Sequence, residues 1–146
     1  MSAPIETTPA DDPTMIDLIT HPSVVAVVGL SPKQDRPSYG VAHFLIEKGF
    51  TVYGVNPAAA GQTILDRPVV ATLADVPEHI HIVDVFRQSD AVPQVVDEAI
   101  AVGADAVWLQ LDIWNPEAIA KAREAGLKTV VNRCMAIEGR RHTQTA

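Results

Sequence analysis

Cysteine is all but missing from this chain of 146 residues: Cys134 stands alone, so no internal disulfide can form and a reducing compartment such as the cytoplasm is expected. Basic residues are also scarce. Eleven Lys and Arg against eighteen Asp and Glu leave a formal net charge of -7, a field that repels nucleic acid and argues against it as a partner. No apolar run approaches the ~20 residues that span a bilayer, and the start of the chain lacks a basic segment followed by an apolar stretch, so neither a membrane partner nor a signal peptide is expected. Internal repeats and low-complexity linkers are absent. Two phosphate-binding signatures are missing as well, since neither G-x-G-x-x-G nor G-x-x-x-x-G-K-[ST] occurs.

What remains is the composition of an ordinary globular domain, 47% hydrophobic and 20% charged, in a length suited to one core. Residues 1–12 carry Pro4, Pro9 and several acids, too little apolar surface to order itself, and are expected as a disordered tail before a single domain over residues 13–142. Thr14 is placed to cap a short helix through Thr20.

Strands and helices then alternate. Val24 to Leu30 is a continuous apolar run, the pattern of a strand covered on both faces. A helix follows over Tyr39 to Lys48, closed by Gly49, and then a strand over Thr51 to Val55. Val69-Val70 reads as a short edge strand and Leu73 to Val76 as a helical turn. Further strands are expected at Ile80 to Phe86, Ala106 to Leu111 and Thr129 to Val131. Helices at Ser89 to Val102 and Asn115 to Ala125 separate them, the second with Pro116 in its first turn and Gly126 after its end. This order predicts an α/β fold: a Rossmann-like, doubly wound parallel sheet of about five strands with helices on both faces.

In such a sheet a ligand sits beyond the carboxyl ends of the strands, where strand order reverses. The segment from Gly29 to Gly40 joins a buried strand to a helix N-terminus, where free backbone N–H groups favour an anion. Lys33 and Arg36 add cations there, and Ser31 and Ser38 add hydroxyls. That concentration points to a phosphate. The plainer reading makes Ser38 an N-cap and leaves the basic side chains solvated. The second strand ends in Gly54-Val55-Asn56, where a dinucleotide site needs an acid for the ribose diol, which disfavours NAD.

Five strand-end motifs stand in order: Gly29-Leu30-Ser31 through Arg36-Pro37-Ser38-Tyr39-Gly40, then Val55-Asn56-Pro57, Asp84-Val85-Phe86-Arg87, Trp108-Leu109-Gln110-Leu111 and Asn132-Arg133-Cys134-Met135, with Glu138 downstream. Together they resemble the small stand-alone CoA-binding family, which is similar to the N-terminal CoA-binding domain of the succinyl-CoA synthetase alpha subunit. The resemblance implies coenzyme A or an acyl-CoA as ligand. It implies phosphates against Gly29, Leu30 and Ser31 with Lys33, Arg36, Ser38 and Tyr39 nearby. The adenosine end then falls near Val55, Asn56, Pro57, Phe86 and Arg87, and the pantetheine arm toward Leu109, Gln110, Arg133 and Cys134. Ala58 and Ala59 stand where the synthetase-like domain has a lysine, so Arg87 or Lys33 is left to meet a 3′-phosphate. The synthetase's phosphorylated histidine belongs to another domain, and no ligase activity follows.

The function implied is a non-catalytic carrier, sensor or regulatory module for CoA. Two alternatives stay open: an enzyme acting on CoA thiols or thioesters through Cys134, although a packed, half-buried thiol is the plainer reading of a lone cysteine, and an NAD(P)-binding Rossmann protein. No catalytic residue is assigned. Asp84 and Asp112 lie in or just after strands, but spacing alone defines no nucleophile, base and acid. His79-x-His81 supplies two of the ligands a zinc site needs, and a solvated strand start is the plainer reading, so no metal is expected. Val92, Val95, Val96, Ala99 and Ile100 give one helix an apolar side that suits the core, and a homodimer or an unidentified protein partner stays open.

Overall fold

The β-branched run becomes β1, Val24–Val28, whose five residues are all buried. In the computed structural model, which describes residues 4–143, it lies in the middle of a seven-stranded sheet. Before it comes α1 (Pro13–Thr20), and after it α2 (Pro37–Glu47), β2 (Thr51–Val55), β3 (Thr63–Ile64) and β4 (Arg67–Val70). The second half holds β5 (Ile82–Val85), α3 (Val92–Ala101), β6 (Ala106–Leu109), α4 (Pro116–Glu124), β7 (Lys128–Val130) and α5 (Met135–Thr143). The sheet order is β3-β4-β2-β1-β5-β6-β7, parallel except for the antiparallel β3–β4 pair.

Successive side chains on a strand point to opposite faces, and β1 feeds two cores accordingly. Val25 and Val27 face a layer built from α1, α2 and α5, while Ala26 and Val28 face one built from α3 and α4. This is the doubly wound α/β architecture expected, with two strands more than the five anticipated. One is the β4 edge already suspected at Val69-Val70. The other, β3, joins β4 through Leu65 and Asp66, both with positive φ (54° and 59°). Such two-residue hairpin turns usually announce themselves with Asn-Gly or Asp-Gly, and here no glycine does so.

Other local expectations shift for identifiable reasons. Asp12, not Thr14, caps α1: its Oδ2 accepts from the Met15 backbone N–H at 2.9 Å, while Pro13 at the first position has no N–H to satisfy. The helix expected from Ser89 opens as a 3₁₀ turn over Ser89–Ala91 and becomes α-helical at Val92.

Near both ends of the described residues the chain is more firmly attached than its composition suggested. Of the tail expected as disordered, residues 1–3 lie outside the described residues, but Thr8 is buried against the end of β7. Its N–H donates to Val131 O (3.1 Å), its Oγ1 accepts from Val131 N (2.9 Å), and its carbonyl accepts from Arg133 Nε (2.7 Å). Main-chain pairing beside a strand supplied what apolar burial did not. Arg140 and Arg141 belong to α5, which packs on α1 and α2. Met135 and Ala136 are buried there, and Glu138, 2% exposed, faces Arg133 and Arg141.

Close packing holds α5 down. A Cβ at Gly139 would fall 2.5 Å from Phe44 Cε1, an overlap that must displace the buried Phe44 ring or α5 itself. Gly139→Ala is therefore expected to lower the unfolding free energy by about 1–3 kcal/mol in urea denaturation. Gly40→Ala, in α2 with no atom within 4 Å of the new methyl, is expected to raise it by up to about 1 kcal/mol.

Candidate ligand-binding site

Strand order reverses at β1: β2 lies on one side of it and β5 on the other, with α2 on one face of the sheet and α3 on the opposite face. The crevice this opens is floored by Gly29. Its φ is +90°, its N–H donates to Val55 O at 2.8 Å, and a Cβ there would lie 3.0 Å from Phe86 O, so both conformation and space require glycine. The turn that follows is braced internally. Ser31 N donates to Ser38 Oγ at 3.0 Å, and Lys33 N donates to Ser31 Oγ at 3.1 Å. Ser38 is thus a buried turn brace and not a helix cap. The cap position of α2 falls on Arg36, with no side-chain cap and Pro37 at the first helical position.

Three depressions line up across this crevice. The middle one is walled by Gly29, Ser31, Lys33, Arg36, Pro37, Ser38 and Phe86, with Lys33 and Arg36 exposed at its rim. Two cations beside a helix start suit a phosphate or pyrophosphate. On the α3 side, a second is bounded by Val28, Val55, Pro57, Leu73 and Val95, with Thr72, Arg87, Gln94 and Glu98 as its polar groups. Apolar walls with a few polar groups suit a flat heterocycle. On the α2 side, the third is formed by Pro37, Val41, Phe86, Gln110, Leu111, Asp112, Ile113 and Cys134. Pro37 and Phe86 are common to the middle and third depressions, so the two run into each other.

Of the site residues expected from sequence, Gly29, Ser31, Lys33, Arg36, Ser38, Phe86, Val55, Pro57, Arg87, Gln110 and Cys134 are brought into these depressions. Five are not. Leu30 is 1% exposed and packs into the core, and Leu109 is fully buried on the α3–α4 side because strand alternation turns it away. Tyr39 packs against the α2-side core. Asn56 spends its amide on structure, donating to Leu30 O and accepting from Ala58 N, both at 3.0 Å. Arg133 is taken up by Thr8 and Glu138. Sequence reading missed Thr72, from the connection after β4, Gln94 and Glu98, from α3, and Val41, Leu111 and Ile113, whose apolar character pointed to the core.

His79 and His81 gain a third neighbour in Asp105, their ligand atoms lying within 4.8 Å of one another. Both imidazoles are already engaged. His81 Nδ1 accepts from Val24 N–H at 3.1 Å, which leaves the proton on its Nε2, and His79 Nε2 pairs with Asp105 Oδ1 at 3.0 Å. A metal at those two nitrogens would displace both contacts.

The CoA binding domain family matches residues 23–140. The chain belongs to this family. Among similar proteins, the uncharacterized protein YneT of Bacillus subtilis is 30% identical over 121 residues, 83% of this chain and 88% of that protein. The solved structure of a hypothetical protein from Pyrococcus horikoshii OT3 superposes with a TM-score of 0.86 at 36% identity, covering 99% of both chains. The Archaeoglobus fulgidus acetate–CoA ligase (ADP-forming) I is 25% identical over 130 residues, 82% of this chain but 19% of that enzyme, so this CoA-binding domain corresponds to a small part of it. No helix among the described residues is long and apolar enough to cross a membrane.

Beneath the third depression lies an unusual group for a sheet interior. Asp84, in the middle of β5, is fully buried; its Oδ1 accepts from Gln110 Nε2 at 2.6 Å and its Oδ2 has no hydrogen-bond partner among the described residues. Burial pushes its carboxyl from the ordinary 3.8 up to about 7, against the opposing effect of the Gln110 hydrogen bond. The folded state therefore holds this proton more tightly than the unfolded chain does, and the stability that Asp84 contributes falls as pH rises from about 4 to about 7 and then levels. Asp84→Asn, which removes the buried charge, is expected to raise stability by roughly 2–4 kcal/mol at pH 8 and by much less near pH 5, read from urea midpoints.

Proposed function

We propose that this protein binds coenzyme A or an acyl-CoA in the cytoplasm as a carrier, sensor or regulatory module without chemistry of its own. The observation that carries this reading is the alignment of three chemically distinct depressions across one crevice, in a chain of the CoA binding domain family. The cationic middle depression takes the pyrophosphate. The apolar recess beside Val55, Pro57 and Leu73 takes the adenine, with Arg87 at its edge for the ribose phosphate. The pantetheine arm runs past Pro37 and Phe86 toward Gln110 and Cys134. The relation to an acetate–CoA ligase supports a CoA-type ligand; the ligase reaction itself needs the remainder of that longer enzyme.

A second reading, chemistry on the thiol or thioester at Cys134, is favoured by one observation: the only sulfur nucleophile of the chain stands in the wall of the third depression. Under that reading Cys134→Ala abolishes turnover and keeps binding.

Isothermal titration with CoA, acetyl-CoA, NAD and ATP tests the proposal. CoA compounds are expected to bind and NAD not to, and Arg36→Ala is expected to weaken CoA by about tenfold through loss of a charged phosphate contact. Binding of NAD with no binding of either CoA compound would overturn the assignment.

A further inference from the structure

We infer that Gln110 determines which end-group the third depression accepts, and that Asp84 is a positioning residue whose protonation turns the Gln110 amide over. This rests on the reading that a CoA-type ligand occupies the crevice. Gln110 belongs to two environments at once: it lines the depression, and its Nε2 donates inward to Asp84 Oδ1 at 2.6 Å. That orientation leaves its carbonyl oxygen as the group offered to the ligand. An ionised Asp84 accepts hydrogen bonds only, so it enforces this state, and the depression then presents an acceptor that suits a thiol S–H.

A protonated Asp84 carries a hydroxyl in a fully buried position. With the amide as found, that proton has no acceptor, because Oδ2 has no partner among the described residues. Rotating the Gln110 amide by half a turn brings its carbonyl inward to accept the proton, which removes a costly unsatisfied donor. Its NH₂ then faces the depression and suits the carbonyl of a thioester. One proton added to Asp84 therefore exchanges an acceptor for a donor at the ligand's reactive end.

The surroundings leave this control to the pair. In register beside Asp84 stand Val27 of β1 and Trp108 of β6. Of the helices on that face, α1 holds Asp17 and α2 holds His43 and Glu47 at exposed positions. Glu138 of α5 is engaged with Arg133, Arg141 and His142, Arg140 lies over the Phe44 ring, Tyr39 of α2 packs against the core, and the depression wall adds Cys134 and an exposed Asp112. Gln110 is the one polar partner described for Asp84. Burial holds the Asp84 carboxyl at about 7, so both states are populated near neutrality.

The test is the ratio of the CoA and acetyl-CoA dissociation constants, measured by titration calorimetry between about pH 6 and pH 8. Phosphates titrate alike in both ligands and cancel. The preference for acetyl-CoA is expected to rise about fivefold from the upper to the lower pH, one hydrogen bond's worth, and to stay flat with pH in Asp84→Asn. A flat ratio in the wild type with both ligands bound, or an equal pH effect in Asp84→Asn, overturns the inference while leaving CoA binding intact. Absence of binding by either ligand overturns the proposed function itself. The wild type also reports without a variant: the Gln110 side-chain amide resonances are expected to shift with a midpoint near that of Asp84, and pH-independent resonances refute the inference.

Discussion

Everything at the candidate site depends on the close approach of backbones where the chain leaves β1. Gly29 N donates to Val55 O, and Phe86 O lies where a Cβ on Gly29 would need room. The same economy of space recurs one strand over. A Cβ on Gly54 of β2 would meet Leu30 Cδ2 at 2.8 Å, so Leu30 folds down onto the sheet only because β2 carries a glycine there. With Leu30 anchored below and the Ser31–Ser38 brace beside it, the turn holds Lys33 and Arg36 at the mouth of the crevice.

The two faces of the sheet do different work. The α3–α4 side is almost wholly aliphatic, built from Val83, Val85, Val95, Val96, Val107 and Ile119. The other side contains the buried polar groups: Asp84 with Gln110, and Glu138 with its basic neighbours. A low-dielectric layer strengthens each satisfied contact and penalises each missing one. The pairing of Arg133 with both Thr8 and Glu138 joins the segment before α1, the end of β7 and α5 in one polar knot, which adds to the apolar packing of α5.

Much of this was legible in the sequence because the strands near the centre of the sheet are covered on both faces and read as unbroken apolar runs. Val24–Val28, Ile82–Val85 and Ala106–Leu109 declare themselves in that way. The motifs at their ends led to the family and to most of the residues now seen in the depressions. What escaped has a physical explanation in each case. The hairpin of β3 and β4 turns on Leu65 and Asp66, residues that do not advertise positive φ. Helix α5 hides a buried Glu138 among Arg140, Arg141 and His142, a sequence that reads as solvent-facing until its partners are known. Arg133 stands in a strand-end motif yet serves the fold, because its partners Thr8 and Glu138 are supplied by segments whose positions no local pattern gives.

The attachment of Thr8 also bears on how copies of this protein meet. A sheet edge with free main-chain groups is a template for a neighbouring strand. At the β7 end the chain's own first segment occupies part of that edge, and at the opposite end β3 is two residues long, with Pro68 in the strand behind it. Little continuous ladder is left to extend at either margin. Edge-to-edge growth into fibres is thereby discouraged.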